Sequence, residues 1–206
     1  MVSAMNSVIV AAKRTPIGSF QGALSSLTAP QLGAKAIEAV LKESGLSPDV
    51  VDEVILGNVL TGGVGQAPAR QAALLAGLPK KAGALTINKV CGSGLKAVML
   101  ADVLIRSGEA EVVIAGGMES MSNAPYALPK ARTGYRMGNG ELVDLMVHDG
   151  LFDPGTKRHM GVIGEVCAKE HKITREQQDT YAALSYKRAL EAQSAGRFES
   201  EVAAID

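Results

Sequence analysis

The sequence predicts an α/β fold with a mostly parallel sheet, and three observations carry that prediction. Residues 8–12, 54–56, 84–88 and 111–115 are short, nearly continuous apolar runs, the pattern of strands covered on both faces. Between them lie segments whose apolar residues recur at helical spacing. Glycine, 23 of 206 residues or about 11% against a usual 7%, is gathered in tight turns after the apolar runs instead of being spread as a linker.

The first run is closed by Lys13-Arg14-Thr15-Pro16, where the residue before proline is pushed towards extended backbone, so a strand followed by a loop is expected. Thr28 is placed to N-cap a helix with Pro30 in its first turn. Leu32, Ala36, Ile37, Val40 and Leu41 give that helix an apolar face, and Gly45 stops it. After the strand at 54–56, the turn Thr61-Gly62-Gly63-Val64-Gly65 leads into a small-residue helix over 67–75 that ends before Pro79. A third strand at 84–88, the turn Cys91-Gly92-Ser93-Gly94, a helix over 95–106 stopped by Gly108, and a fourth strand at 111–115 follow.

Beyond Gly116-Gly117 the character changes. Residues 123–140 hold two prolines, three glycines and the basic side chains Lys130, Arg132 and Arg136, which reads as a loop excursion with a function or an interface. Val162, Ile163, Val166 and Cys167 then form a helical stripe that places Cys167 in a core. Thr174 with Gln177 makes a capping box for a last helix towards Gly196, and 201–205 begins another strand. The expected organisation is a nucleophile-bearing core at 1–122, an excursion at 123–160 and a helical return at 161–206.

Composition excludes several functions. Lys+Arg and Asp+Glu are 21 each, aromatic residues are 3% and Trp is absent, so neither charge nor stacking favours nucleic acid. Apolar stretches run to a handful of residues where a membrane span needs about 20. The N-terminal stretch shows no leader pattern and the two cysteines form no disulfide framework, so a soluble, cytoplasmic protein is expected. A Cys167–His171 pair at i, i+4 offers only two ligands, and neither a metal nor a cofactor is expected.

The strongest chemical signal is Asn88-Lys89-Val90-Cys91-Gly92-Ser93-Gly94-Leu95-Lys96-Ala97, which sets a cysteine between a strand and the first turn of a helix, as in a nucleophile elbow. Backbone N–H groups at a helix start attract negative charge and favour thiolate over thiol, and the glycines leave room for an acyl group. A lone cysteine is equally read as a small buried hydrophobe. Gly92-x-Gly94-x-x-Ala97 also fits a dinucleotide fingerprint, which would bind NAD(P), but no acidic residue ends the next strand as that fingerprint requires. A fast nucleophile calls for a histidine base, and His148, His159 and His171 are the only three histidines.

These residues resemble the thiolase family, specifically acetyl-CoA acetyltransferases of bacterial or cytosolic type. The likeness rests on Asn88-Lys89-Val90-Cys91-Gly92-Ser93-Gly94 together with Gly116-Gly117-Met118-Glu119-Ser120-Met121-Ser122. It extends through Arg14-Thr15-Pro16-Ile17-Gly18, Gly57-Asn58-Val59-Leu60, Gly65-Gln66-Ala67-Pro68-Ala69-Arg70-Gln71 and His159-Met160-Gly161. The resemblance implies a thiolase-like layered fold, of which one half is present as a mostly parallel mixed sheet flanked by helices with a loop excursion.

It further implies that Cys91 takes an acetyl group from acetyl-CoA as a thioester, with its own backbone N–H helping to hold the oxyanion. Claisen condensation to acetoacetyl-CoA, or its thiolytic reverse, follows. By the same resemblance residues 123–144 mediate subunit contacts, and Leu151, His159 and Met160 line the substrate pocket. His159 reads equally as a surface loop histidine and Met160 as a core filler. The family's Gly-His-Pro base, Cys-x-Gly cysteine and Asn-Glu-Ala-Phe asparagine do not occur in these 206 residues. Expected partners are therefore acetyl-CoA and acetoacetyl-CoA, with a homo-oligomer or a complementary thiolase half. The alternative is a non-catalytic oligomerisation fragment.

Overall fold

The computed structural model describes residues 6–205. Residues 1–5, which begin the stretch read for a leader, and Asp206 lie outside them. The chain divides into two compact units, one running to Gly150 and taking in Ala203 onward, the other Leu151–Val202.

In the first unit, helix α1 (Ala29–Ser44) starts at Thr28 with a full capping box: the Thr28 N–H donates to Gln31 Oε1 (2.8 Å) and the Gln31 N–H to Thr28 Oγ1 (3.4 Å). It ends at Gly45, whose φ of 67° is the left-handed stop that glycine adopts freely. Of the expected stripe, Ile37 is fully buried and Leu32, Ala36, Val40 and Leu41 are half-buried.

Strand β1 (Glu53–Gly57) is the centre of a three-stranded parallel sheet, with β2 (Gly83–Ile87) on one side and β3 (Val113–Gly117) on the other. Val54 pairs with Ala84 and Ile114, and Gly57 with Ile87 and Gly117. Side chains alternate across β1. Val54 and Leu56 join the core cluster with Ala29 and Ile37 of α1 and Ala69, Ala72 and Ala73 of α2 (Pro68–Leu75). The opposite face, carrying Ile55 and Gly57, takes helix α3 (Ser93–Ser107), which buries Ala97 and Ala101. Helices on both faces of a parallel sheet are the α/β arrangement expected.

Two expected strands do not form. Residues 8–12 lie in no strand, and Val8, Ile9 and Val10 are 76%, 81% and 67% exposed. A strand needs a ladder partner; here residues 7–13 face Val113, Ile114 and Ala115 of β3 across a cavity of about 520 Å³ instead of pairing with them. Residues 201–205 are not a strand either. The Glu201 and Val202 N–H groups both donate to Phe198 O, closing a turn where extended backbone was expected, and the Ala203 N–H then donates to Arg14 O (2.8 Å).

Within the excursion, β4 (Tyr126–Ala127) pairs antiparallel with β5 (Val143–Asp144), and a π-helical turn, Met146–Leu151, follows.

The second unit opens with the antiparallel pair β6 (Phe152–Asp153) and β7 (Arg158–His159) and continues as α4 (Met160–Glu170) and α5 (Arg175–Ser194). The α5 capping box is formed as expected, with the Thr174 N–H donating to Gln177 Oε1 (2.8 Å) and the Gln177 N–H to Thr174 Oγ1 (3.2 Å). Cys167, read as a core residue, is exposed: the cover on the α4 stripe reaches Ile163 and Val166, which are half-buried, but not Val162 or Cys167. No helix among the described residues is long and apolar enough to cross a membrane.

Candidate active site

The cysteine elbow is built as a knot of short-range hydrogen bonds between the end of β2 and the start of α3. The Val90 N–H donates to Asn88 Oδ1 (2.9 Å), the Gly92 N–H to Lys89 O (3.1 Å) and the Ser93 N–H to Val90 O (3.1 Å). Ser93 Oγ accepts from the Lys89 N–H (2.8 Å) and donates to Val90 O (2.6 Å). Of the five amides from Lys89 to Ser93, only that of Cys91 has no acceptor among the described residues. The thiol is exposed. Val90 sits at φ 48°, a left-handed conformation that is a genuine outlier for a β-branched residue.

Glycines seat this turn on the sheet. A Cβ on Gly57 would lie 3.0 Å from the Gly94 nitrogen, and one on Gly117 3.5 Å from Gly94 Cα. The helix start thus rests on the C-terminal ends of β1 and β3, where parallel sheets place their sites.

The other motifs bind the loops at this end of the sheet. Glu119 accepts from Asn58 Nδ2 (2.6 Å), the Val59 N–H (2.9 Å) and the Leu60 N–H (3.1 Å), joining two segments some sixty residues apart. Asn58 is buried, and its amide also donates to Met118 O (3.3 Å). Asn123 Nδ2 donates to Ser25 O, Leu27 O and Ser120 Oγ. Arg70 donates to Ala82 O and Lys80 O, and Gln71 to Val64 O and Gln66 O, pinning the loops on either side of α2.

Cys91 belongs to the first unit, whereas Leu151, His159 and Met160 fall in the second. There Leu151 closes the π-helical turn and is half-buried, and Met160 is the exposed first residue of α4. His159 ends β7 and N-caps α4, its Nδ1 accepting from the Gly161 N–H (3.0 Å), which leaves the ring proton on Nε2. His148 lies in the π-helical turn and His171 is the C-cap of α4. Asp153 holds the β6–β7 turn, its carboxyl set below the usual carboxylate range first by its bond from the Thr156 hydroxyl and then by the Thr156 N–H.

Sequence reasoning missed Ser93, Asn58 and Glu119 as the residues that hold this end of the sheet. A serine two places after the cysteine, at a helix start, was the available signal for the first. No local signal linked the other two.

The comparisons with known proteins agree with this architecture. The family described as "Thiolase, N-terminal domain" matches residues 7–206. Acetyl-CoA acetyltransferase of Pseudomonas aeruginosa is 55% identical over 198 residues, covering 96% of this chain and 50% of the relative. The protein of the same name from Cupriavidus necator is 54% identical over the same coverage. Acetyl-CoA acetyltransferase 1 of Arabidopsis thaliana is 52% identical over 96% of this chain and 48% of its own length. The chain therefore spans about half the length of the curated relatives it matches. With its family match, its identities and its elbow cysteine at the end of a parallel sheet, the chain belongs to the thiolase family, as an N-terminal domain.

Proposed function

We propose that this chain supplies the acyl-accepting nucleophile of an acetyl-CoA acetyltransferase. Cys91 Sγ gives up its proton and attacks the carbonyl carbon of acetyl-CoA. The bond from that carbon to the coenzyme A sulfur breaks, coenzyme A leaves with the proton, and an acetyl thioester remains on Cys91. The observation that carries this reading is the Cys91 amide. Its four neighbours are spent within the turn, and it alone is left to donate to an oxyanion forming beside its own side chain.

In the second step a base takes a methyl proton from another acetyl-CoA, and the resulting carbanion displaces Cys91 to give acetoacetyl-CoA. The family resemblance gives that base to a Gly-His-Pro histidine, and these 206 residues hold no such motif. The chain by itself accordingly accepts an acetyl group without steady turnover. Leu151, His159 and Met160 serve the substrate pocket, residues 123–144 serve subunit contacts, and a complementary thiolase half completes the enzyme.

The test is the intact mass of the pure chain after incubation with acetyl-CoA, with peptide mapping to separate Cys91 from Cys167. Acetylation confined to Cys91, and abolished in Cys91→Ser, is expected. A folded chain acetylated at Cys167 alone, or nowhere, would overturn the reading.

A further inference from the structure

We propose that Ser93 is a positioning residue for Cys91: its hydroxyl is the strap that holds Val90 left-handed and thereby aims the free Cys91 amide at the acyl oxygen. This rests on the proposed role of Cys91 as acyl acceptor and names the device behind it. Three observations converge. Ser93 is only 4% exposed, although a serine at a helix start usually faces solvent. Its Oγ both accepts, from the Lys89 N–H, and donates, to Val90 O, so it bridges the two residues before the nucleophile. The residue inside that bridge is a valine at φ 48°, which relaxes to negative φ unless its surroundings hold it.

Geometry explains why the hydroxyl matters for acyl transfer in particular. Val90 O accepts twice from residue 93, once from the backbone N–H (3.1 Å) and once from Oγ (2.6 Å), which fixes the plane of the Val90–Cys91 peptide. That plane sets where the Cys91 N–H points. If Val90 relaxed, the amide would rotate away from an oxyanion on the Cys91 side chain while the thiol stayed exposed. Ser93 therefore governs reactions that pass through an oxyanion much more than those that do not.

The experiment compares two reactions of Cys91 in the 206-residue chain: acetylation by acetyl-CoA, which forms an oxyanion, and alkylation by iodoacetamide, which forms none. Ser93→Ala is expected to slow acetylation about tenfold, the scale of one lost anchor, and to change alkylation less than about twofold. Adding Val90→Gly to Ser93→Ala is expected to recover much of the acetylation rate, because glycine takes positive φ without a strap. Amide exchange at Lys89, whose N–H loses its acceptor in Ser93→Ala, reports the strap with no acyl chemistry and is expected to quicken.

Equal effects on both reactions, or an unchanged Lys89 amide, would overturn the positioning role while leaving Cys91 as nucleophile. Absence of acetylation in the unsubstituted chain would instead overturn the nucleophile reading, and this role with it. If neither Ser93→Ala nor the double variant folds, Ser93 is a folding residue and the proposal fails.

Discussion

Gly57 at the end of β1 and Ser93 at the start of α3 stand so close that a Cβ on residue 57 would lie 2.5 Å from Ser93 Cβ and 2.9 Å from its carbonyl carbon. The obstruction includes backbone, which yields less readily than the tip of a long side chain. Gly57→Ala is expected to destabilise the fold by about 1–3 kcal/mol, the usual penalty of overpacking. It should also slow acetylation of Cys91 by displacing Ser93. Urea unfolding reads the first effect and mass spectrometry the second. An unchanged midpoint would mean that the helix is not seated on this strand.

Gly45 offers the opposite case. Nothing lies within 4 Å of a Cβ built there, so only its φ of 67° resists substitution. Gly45→Ala should cost about 1 kcal/mol and Gly45→Asn less, since asparagine tolerates the left-handed region better. Thermal melts of the two variants would show that order, and equal midpoints would remove the conformational explanation.

The Glu119 carboxylate gathers three donors, from Asn58 Nδ2, Val59 and Leu60. Glu119→Gln turns one acceptor oxygen into a donor facing donors, and should destabilise by about 1–3 kcal/mol. Asn58→Ala removes a partner in the same network. The double variant should therefore lose less than the sum of the single changes. Strict additivity in denaturant titrations would show that the two residues act separately.

Adjacent carboxyls at the entry to β1 should give opposite pH responses. Asp52 lies below its ordinary value of 3.8, chiefly through the Val112 N–H and then the Glu111 N–H. Its contribution is present above the ordinary value and lost as pH falls through the lowered one. Glu53 is raised above its ordinary 4.5 by burial, so its contribution is present in acid and lost as pH climbs through the raised value. Asp52→Asn should lower the melting temperature at pH 7 and converge on the parent in strong acid. Glu53→Gln should raise it at pH 7 with no gain near pH 3. Parallel pH curves for either variant and the parent would contradict that assignment.

The sequence was most legible where a local interaction fixes the backbone. Thr28 with Gln31 and Thr174 with Gln177 are capping boxes within four residues, and the helices begin where those pairs place them. The three sheet strands were readable because apolar residues dominate each, although the last forms at 113–117 instead of 111–115 and takes in Gly116 and Gly117, and the elbow because cysteine and glycines cluster between a strand and a helix. Residues 8–12 misled for a physical reason: strand-like composition does not supply a neighbour to pair with. Cys167 misled because an apolar stripe states only that burial would be favourable. Val90 was illegible altogether, since nothing about a valine announces positive φ, and the hydroxyl that holds it there is three residues away.

The central strand β1 waits for partners that come later, β2 thirty residues on and β3 sixty residues on, as the pairings Val54 with Ala84 and Ile114 show. A chain growing from the ribosome thus makes its thiol after β1 but before β3, so only part of the floor beneath it exists. Gly117, which packs against Gly94, is 26 residues beyond Cys91, roughly 1–5 s at typical synthesis rates. During that interval the elbow has the end of β1 to rest on but not that of β3. The seat of the elbow is complete only when the last strand of the sheet closes the long loop.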